Sequence, residues 1–272
     1  MIVLPRSWQQ QWHGRDYFEV VLGLEGEEYR NMDGRRTFRF EKDGRGYFAK
    51  VYTGLGWKRI FKSLLAFKRP PVLTAANEWR AIRRLEELNV DTMTLVGYGE
   101  QGSDPAHRQS FIITEELTPT ESLEYFCRNW GSDPPPVTLK RALIDKLAQI
   151  SKQLHDHGVN HRDYYLCHFL LDLTVGRENL CSDNLTLYLI DLHRVQFRRR
   201  LPQRWRLKDL AALYFSSMEI GLTRRDLYRF IAIYTGKPLR HALQEHAALW
   251  QQIERRSAQL MERYNRKYRP ND

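Results

Sequence analysis

Cysteine is scarce in this chain: Cys127, Cys167 and Cys181 are the only three, and no Cys-x-x-Cys spacing occurs. That argues against a disulfide framework or a zinc ribbon and favours a reducing compartment. Long hydrophobic runs are also missing. No stretch reaches the roughly 20 apolar residues of a transmembrane helix, and the first residues lack the apolar core of a secretory signal. The expectation is a cytoplasmic protein. Internal repeats and low-complexity linkers are absent. His155, His157, His161, His168 and His193 crowd one region, yet no His-Glu-x-x-His or comparable ligand spacing appears, which disfavours a zinc hydrolase. No helix-turn-helix, RNP or zinc-finger pattern is present, so nucleic-acid binding would rest on charge alone and is not expected.

Charge of one sign dominates what remains. Lys and Arg number 43 against 33 Asp and Glu, a net charge of +10. Such a surface suits an anionic partner: nucleic acid, an acidic membrane surface, a phosphorylated substrate or an acidic protein. With 272 residues, the chain is long enough for one two-lobed unit or two small domains.

Between Glu28 and Tyr52 the chain reads as three short strands, Tyr29–Met32, Thr37–Glu41 and Tyr47–Tyr52, broken at Asp33-Gly34 and Asp43-Gly44. Thr74–Leu88 reads as a helix capped by Thr74, with Glu78, Ile82 and Leu85 on one inward stripe. A carboxylate on such a face is usually paired. Tyr98 and Phe111–Thr114 read as further strands. Beyond Pro134-Pro135-Pro136 the pattern turns helical: Thr138 caps a helix with Leu139, Leu143, Leu147, Ile150 and Leu154 on one face, ended by Gly158. Strands follow at Phe169–Leu173 and Leu185–Ile190, then a helix starting at Thr223 and Asp226, with Leu227, Phe230, Ile231 and Tyr234 as its apolar face. The expected fold is α+β and bilobal: a sheet-plus-helix lobe over residues 1–117 and a mainly helical lobe over 118–272.

The densest chemical signal is His161-Arg162-Asp163, a four-residue spacer, His168 and the apolar run Phe169–Leu171. This is the shape of a kinase catalytic loop, in which the Asp accepts the proton of the attacking hydroxyl and the later polar residue helps hold a metal. His168 stands where Asn is usual. Other parts of a phosphoryl-transfer site follow in order. Lys50, near the end of the third strand, suits α- and β-phosphates, and Glu78 is placed to pair with it. Asp191 ends an apolar strand as a second metal ligand, and Asp209 is placed to brace the loop from the next helix. Singly, each has a plainer reading: a solvated lysine, a helix-surface carboxylate, a turn aspartate, a cap. Together and in order they favour phosphoryl transfer. Two parts are missing. Asn31–Arg36 holds one glycine where a G-x-G-x-x-G loop would cradle phosphates, leaving Arg35 or Arg36 to supply charge. No Ala-Pro-Glu follows Asp191, which disfavours an ordinary protein kinase.

The chain resembles the bacterial lipopolysaccharide core heptose kinase family, within the protein-kinase-like superfamily. The resemblance rests on Gly14-Arg15-Asp16, Gly34–Thr37, Gly44–Phe48, Glu78-Trp79, Ser110–Glu115, Gly158–Asp163, Cys167–Leu171, Ile190–Arg194 and Arg204-Trp205-Arg206, and it covers nearly the whole chain. Tyr164 stands where the family favours Cys. The resemblance implies a protein-kinase-like fold, ATP with magnesium or manganese, and a heptose hydroxyl of the lipopolysaccharide inner core as acceptor. It implies Asp163 as the catalytic base, Lys50, Glu78 and Glu115 at the nucleotide, and His168 and Asp191 at the metal. It places the enzyme on the cytoplasmic face of the inner membrane and raises an acidic acyl carrier protein as a partner. Another acceptor, an acidic core sugar or a protein tyrosine, is the alternative, and a non-catalytic basic binding protein is the reading from a different class. Written as a helix, Leu55–Arg69 carries Trp57, Ile60, Phe61, Leu64 and Leu65 on one stripe beside Lys58, Arg59, Lys62, Lys68 and Arg69. That pattern suits docking on an anionic membrane surface, packing on the lobe's own sheet, or an acidic protein partner.

Overall fold

The structure, a computed structural model, describes residues 1–32, 34–58, 61 and 74–269. The backbone forms two compact units. The first comprises Met1–Arg84, Met93–Leu117 and Leu192–Arg194; the second comprises Leu85–Thr92, Thr118–Asp191 and Val195–Asp272. Strands dominate the first and helices the second, the α+β class expected.

In the first unit the described residues form an antiparallel sheet of strands β1 (Ile2–Val3), β2 (Glu27–Met32), β3 (Arg35–Lys42), β4 (Arg45–Tyr52), β5 (Leu95–Gln101) and β6 (Gln109–Glu115), in the order β1-β5-β6-β4-β3-β2. Lys42 pairs with Arg45 across a two-residue loop. There Asp43 and Gly44 have φ of 52° and 73°, the left-handed pair of a hairpin turn whose twist matches its strands. Asp33, in the other expected turn, lies outside the described residues, as does most of the expected helix over Leu55–Arg69. Alternation along β4 sends Tyr47, Ala49 and Val51 into a core with Trp8, Trp12 and Phe18. Those aromatic residues come from the region of α1 (Arg6–Gln11) and α2 (Tyr17–Leu22), each too short to show a periodic stripe in sequence. Lys50 is left on the opposite face. Helix α3 (Ala76–Glu87) begins as expected, with Thr74 Oγ1 accepting from the Ala76 amide at 3.2 Å. The Ala75 amide donates to Ser110 Oγ at 2.9 Å, and Trp79 stacks on Tyr98 with centroids 5.0 Å apart. Those contacts pin the start of α3 to β5 and β6.

In the second unit β7 (Thr120–Ser122), β9 (Phe169–Asp172) and β10 (Leu187–Leu189) form one small antiparallel sheet, and β8 (Val159–Asn160) pairs with β11 (Gln196–Phe197). The helices are α4 (Leu123–Cys127), α5 (Val137–Asp156), α6 (Gln203–Ser217), α7 (Arg224–Thr235), α8 (Leu239–Glu245) and α9 (Ala247–Tyr268). Ala148, Leu210, Ala211, Tyr234, Leu249 and Ile253 form a shared helical core. Helix α7 starts with a capping box between Thr223 and Asp226. The cap expected at Thr138 is instead Pro136, whose carbonyl accepts from the Lys140 amide at 3.0 Å. Proline fixes the φ needed at that entry and loses no hydrogen bond there, so the helix begins two residues earlier, at Val137. Tyr164 is fully buried, and its hydroxyl lies 2.9 Å from Ser151 Oγ. Because Ser151 donates its only hydroxyl proton to the Leu147 carbonyl, the Tyr164 O–H is the donor of that pair. The large buried side chain is thereby satisfied.

Gly158 ends α5 with φ of 75°, and a Cβ there would lie 1.7 Å from the Arg198 carbonyl oxygen. Gly158→Ala therefore combines left-handed strain of about 1–2 kcal/mol with a backbone clash. The expected outcome is a clear fall in the urea midpoint; an unchanged midpoint would show that the turn re-forms without strain.

Candidate active site

The first unit supplies one half of the expected chemistry. Lys50 Nζ lies 2.5 Å from Glu78 Oε1, with the two side chains 15% and 1% exposed. Glu78 Oε2 is buried with no hydrogen-bond partner among the described residues. Nearly all compensation for that buried carboxylate therefore comes from the lysine. Asn77, next in sequence, donates from Nδ2 to the His193 carbonyl at 2.9 Å, fixing the short segment after Asp191 to the same helix. No sequence pattern marks this asparagine. Glu115 stands apart from the pair. It lies opposite Tyr47 while Lys50 lies opposite Ile112, so the Glu115 and Lys50 side chains project from opposite faces of the sheet. Its carboxylate instead lies 4.0 Å from Arg45 at the strand end.

The second unit brings Asp163, His168 and Asp191 together. Asp209, 1% exposed on α6, accepts from the His161 amide at 2.6 Å and the Arg162 amide at 2.9 Å. This is the bracing role expected of it. Arg162 is held there at φ of 77°. His161 Nε2 lies 2.9 Å from the Ile190 carbonyl, which can only accept, so this nitrogen carries a proton. Burial pushes the His161 pKa down, keeping the ring neutral. A neutral imidazole thus ties the loop to the residue preceding Asp191. The strand leading there is fixed as well: the Leu189 amide donates to the Asp91 carbonyl at 2.9 Å, and Thr92 Oγ1 donates to the Leu189 carbonyl at 2.6 Å.

His168 Nδ1 lies 2.6 Å from the Asp163 carbonyl and so donates to it. With that nitrogen donating, Nε2 is the ring atom that faces Asp191, 3.6 Å from its Oδ2. A second-nitrogen bond to a carbonyl is the usual way a metal-binding histidine is oriented. Asp191 itself has φ of 59°, a left-handed conformation uncommon outside glycine. Among the described residues no group of three or more His, Cys, Asp or Glu side chains forms a ready-made metal cage. Two donors fit an ion that keeps water and takes its remaining oxygens from substrate phosphates. Cys167, beside His168, has its thiol pushed up to about 11, chiefly by burial. It is therefore protonated near neutral pH and no nucleophile.

Two outcomes follow from these charges. Lys50→Met should destabilise the fold by about 3–5 kcal/mol by stranding Glu78, while Lys50→Met with Glu78→Leu should recover most of that loss. Chemical denaturation of wild type, single and double variants checks it; a double variant no better than the single would show that the pair is not coupled. For His161, the folded pKa lies below the ordinary value of about 6.5, so the unfolded chain binds the proton more readily. Its contribution is complete above that pH and is lost as pH falls toward the folded value. Between pH 7.5 and 5.5 the urea midpoint of wild type should drop more than that of His161→Gln, and equal drops would refute the assignment.

The model of the lipopolysaccharide kinase (Kdo/WaaP) family matches residues 19–234. The chain is similar, at 52% identity over 265 residues and 97% of both sequences, to a protein of Pseudomonas aeruginosa named lipopolysaccharide core heptose(I) kinase WaaP. It is 48% identical over 268 residues to the Escherichia coli protein of the same name, with 98% of this chain and 99% of that one covered. A solved structure described as WaaP in complex with acyl carrier protein superposes with a TM-score of 0.82 at 48% identity, over 96% of this chain and 99% of that one. With the loop, its brace and the lysine–glutamate pair all present in a chain matched almost end to end, this protein belongs to the lipopolysaccharide kinase (Kdo/WaaP) family.

Proposed function

We propose that this chain phosphorylates a hydroxyl of the first heptose of the lipopolysaccharide inner core, using ATP, with Asp163 as the base. The observation that carries the reading is the cross-locked trio of Asp163, His168 and Asp191. The same His168 ring that holds the Asp163 main chain presents its other nitrogen toward Asp191. Phosphoryl transfer asks the protein for positioning and charge rather than covalent chemistry, and this is an arrangement for positioning. Asp163 accepts the proton of the heptose hydroxyl as its oxygen attacks the γ-phosphorus, while the bond from that phosphorus to the β–γ bridging oxygen breaks and ADP leaves. Lys50, oriented by Glu78, holds the nucleotide phosphates. Glu115 contributes through its main chain at the end of β6, since its carboxylate is on the Tyr47 face. His168 and Asp191 would hold a divalent ion. That ion, when bound, neutralises phosphate charge; an imidazole ligand makes manganese a good substitute for magnesium.

The acceptor is a glycolipid rich in phosphate and acidic sugars, and the net charge of +10 suits it. No helix among the described residues is long and apolar enough to cross a membrane. We assign the enzyme to the cytoplasmic face of the inner membrane, held there by charge. The acyl carrier protein in the related solved structure supports the same acidic partner for this chain.

Asp163→Ala should cut transfer of labelled γ-phosphate to purified core glycolipid by about 10²–10⁴ or more, with ATP affinity unchanged. The rate is read from labelled glycolipid and the affinity from a fluorescent nucleotide. Turnover within a few-fold of wild type would remove Asp163 from the role.

A further inference from the structure

In the second unit four cations surround one indole. The charged groups of Arg198, Lys208, Arg204 and Arg162 lie 5.0, 5.4, 5.6 and 5.8 Å from the Trp205 ring centroid. A ring face offsets about 0.5–1 kcal/mol per cation at an exposed site, too little to balance the like charges of Arg198 and Arg204 held beside it. The acids do not supply the balance at Arg198 and Arg204. Arg198 donates to the side-chain oxygens of Asn160 and Gln196, both neutral amides, and Arg204 is exposed with no ion pair among the described residues. Trp205 Nε1–H is buried with no acceptor among the described residues.

The backbone adds to the same charge. Trp205 sits in the first turn of α6, whose N-cap, Pro202, has no side chain able to cap the helix amides. That end carries partial positive charge from the helix dipole. The cluster is also pre-organised. Arg198 follows β11, and its amide donates to the Gly158 carbonyl at 2.9 Å; Arg162 precedes the proposed base. Nothing in the phosphoryl-transfer roles assigned above uses Arg198, Arg204 or Trp205.

We propose that Trp205 and its surrounding cations form a subsite for an anionic group, phosphate or carboxylate, of the acceptor glycolipid. This rests on the acceptor named under the proposed function. Arg204 and Arg198 bind the anion, and Arg162, also against the Trp205 ring, sets the subsite beside Asp163 in the chain. The subsite holds the acceptor alike in the ground and transition states, so its charge lowers the acceptor KM rather than raising kcat or helping to hold ATP.

The test compares wild type with Arg204→Gln, Arg204→Lys and the double variant Arg198→Gln/Arg204→Gln, with urea midpoints confirming that each is folded. With core glycolipid, Arg204→Gln should raise the acceptor KM about 10-fold, as expected for loss of a charge-assisted contact. The double variant should raise it further, Arg204→Lys should partly restore it, and kcat and the KM for ATP should stay within about two-fold. Acceptor stripped of its phosphates by hydrogen fluoride separates the sources: a variant effect that disappears identifies phosphate, and one that persists identifies carboxylate. Intrinsic fluorescence titrated with inorganic phosphate at constant ionic strength should change in wild type and not in the double variant. Unchanged acceptor KM in the folded Gln variants overturns the proposal, even if phosphate alters the fluorescence. No transfer to the glycolipid by wild type would instead overturn the acceptor assignment itself.

Discussion

The Asp209 carboxylate accepts two successive backbone amides, from His161 and Arg162, while almost wholly buried. Such bonds to a charged acceptor are among the stronger ones a loop can make. They are needed because Arg162 is held in a left-handed conformation, which costs about 1–3 kcal/mol for a residue other than glycine. Behind the carboxylate, His155 Nε2 lies 3.6 Å away, and His155 Nδ1 lies 2.8 Å from the Tyr234 hydroxyl on α7. The loop is therefore anchored through α6 to the helical core rather than by its own short strand. Everything downstream inherits its position: His161 reaches Ile190, His168 reaches Asp163, and Asp191 follows.

Imidazole does two different jobs within eight residues. His161 is kept neutral by burial and serves as a donor to a carbonyl; it is structural. His168, half-buried, donates from one nitrogen and leaves the other facing a carboxylate. The histidine crowding seen in the sequence is thus not one metal cluster. It is a set of separately wired rings.

The lysine–glutamate pair shows the other way this fold controls charge. Strand alternation on β4 turns Lys50 away from the aromatic core, and helical periodicity on α3 turns Glu78 inward. Each side chain is where its neighbours in sequence put it, and each would be costly without the other. The pair is a local consequence of two periodicities brought side by side by the Ser110 and Trp79 contacts of α3.

Much of this was legible in the chain. The hairpins, the cap of α3, the capping box of α7, the terminating Gly158 and the Asp209 brace all follow from local rules, because turns, caps and stripes depend on residues a few positions apart. The α+β class was readable for the same reason. Other features required tertiary structure. Helices α1 and α2 are too short to announce themselves, and Pro136 displaced Thr138 as a cap by a choice between residues two positions apart. The Glu115 carboxylate was separated from Lys50 by strand register, which a sequence of strands does not specify. Asn77 joins the His193 carbonyl, and Arg162, Arg198, Arg204 and Lys208 converge on Trp205, across separations that no periodicity encodes. Local sequence sets the conformation and facing of each element, whereas which distant side chains share a space is decided only when burial and pairing fix how those elements pack.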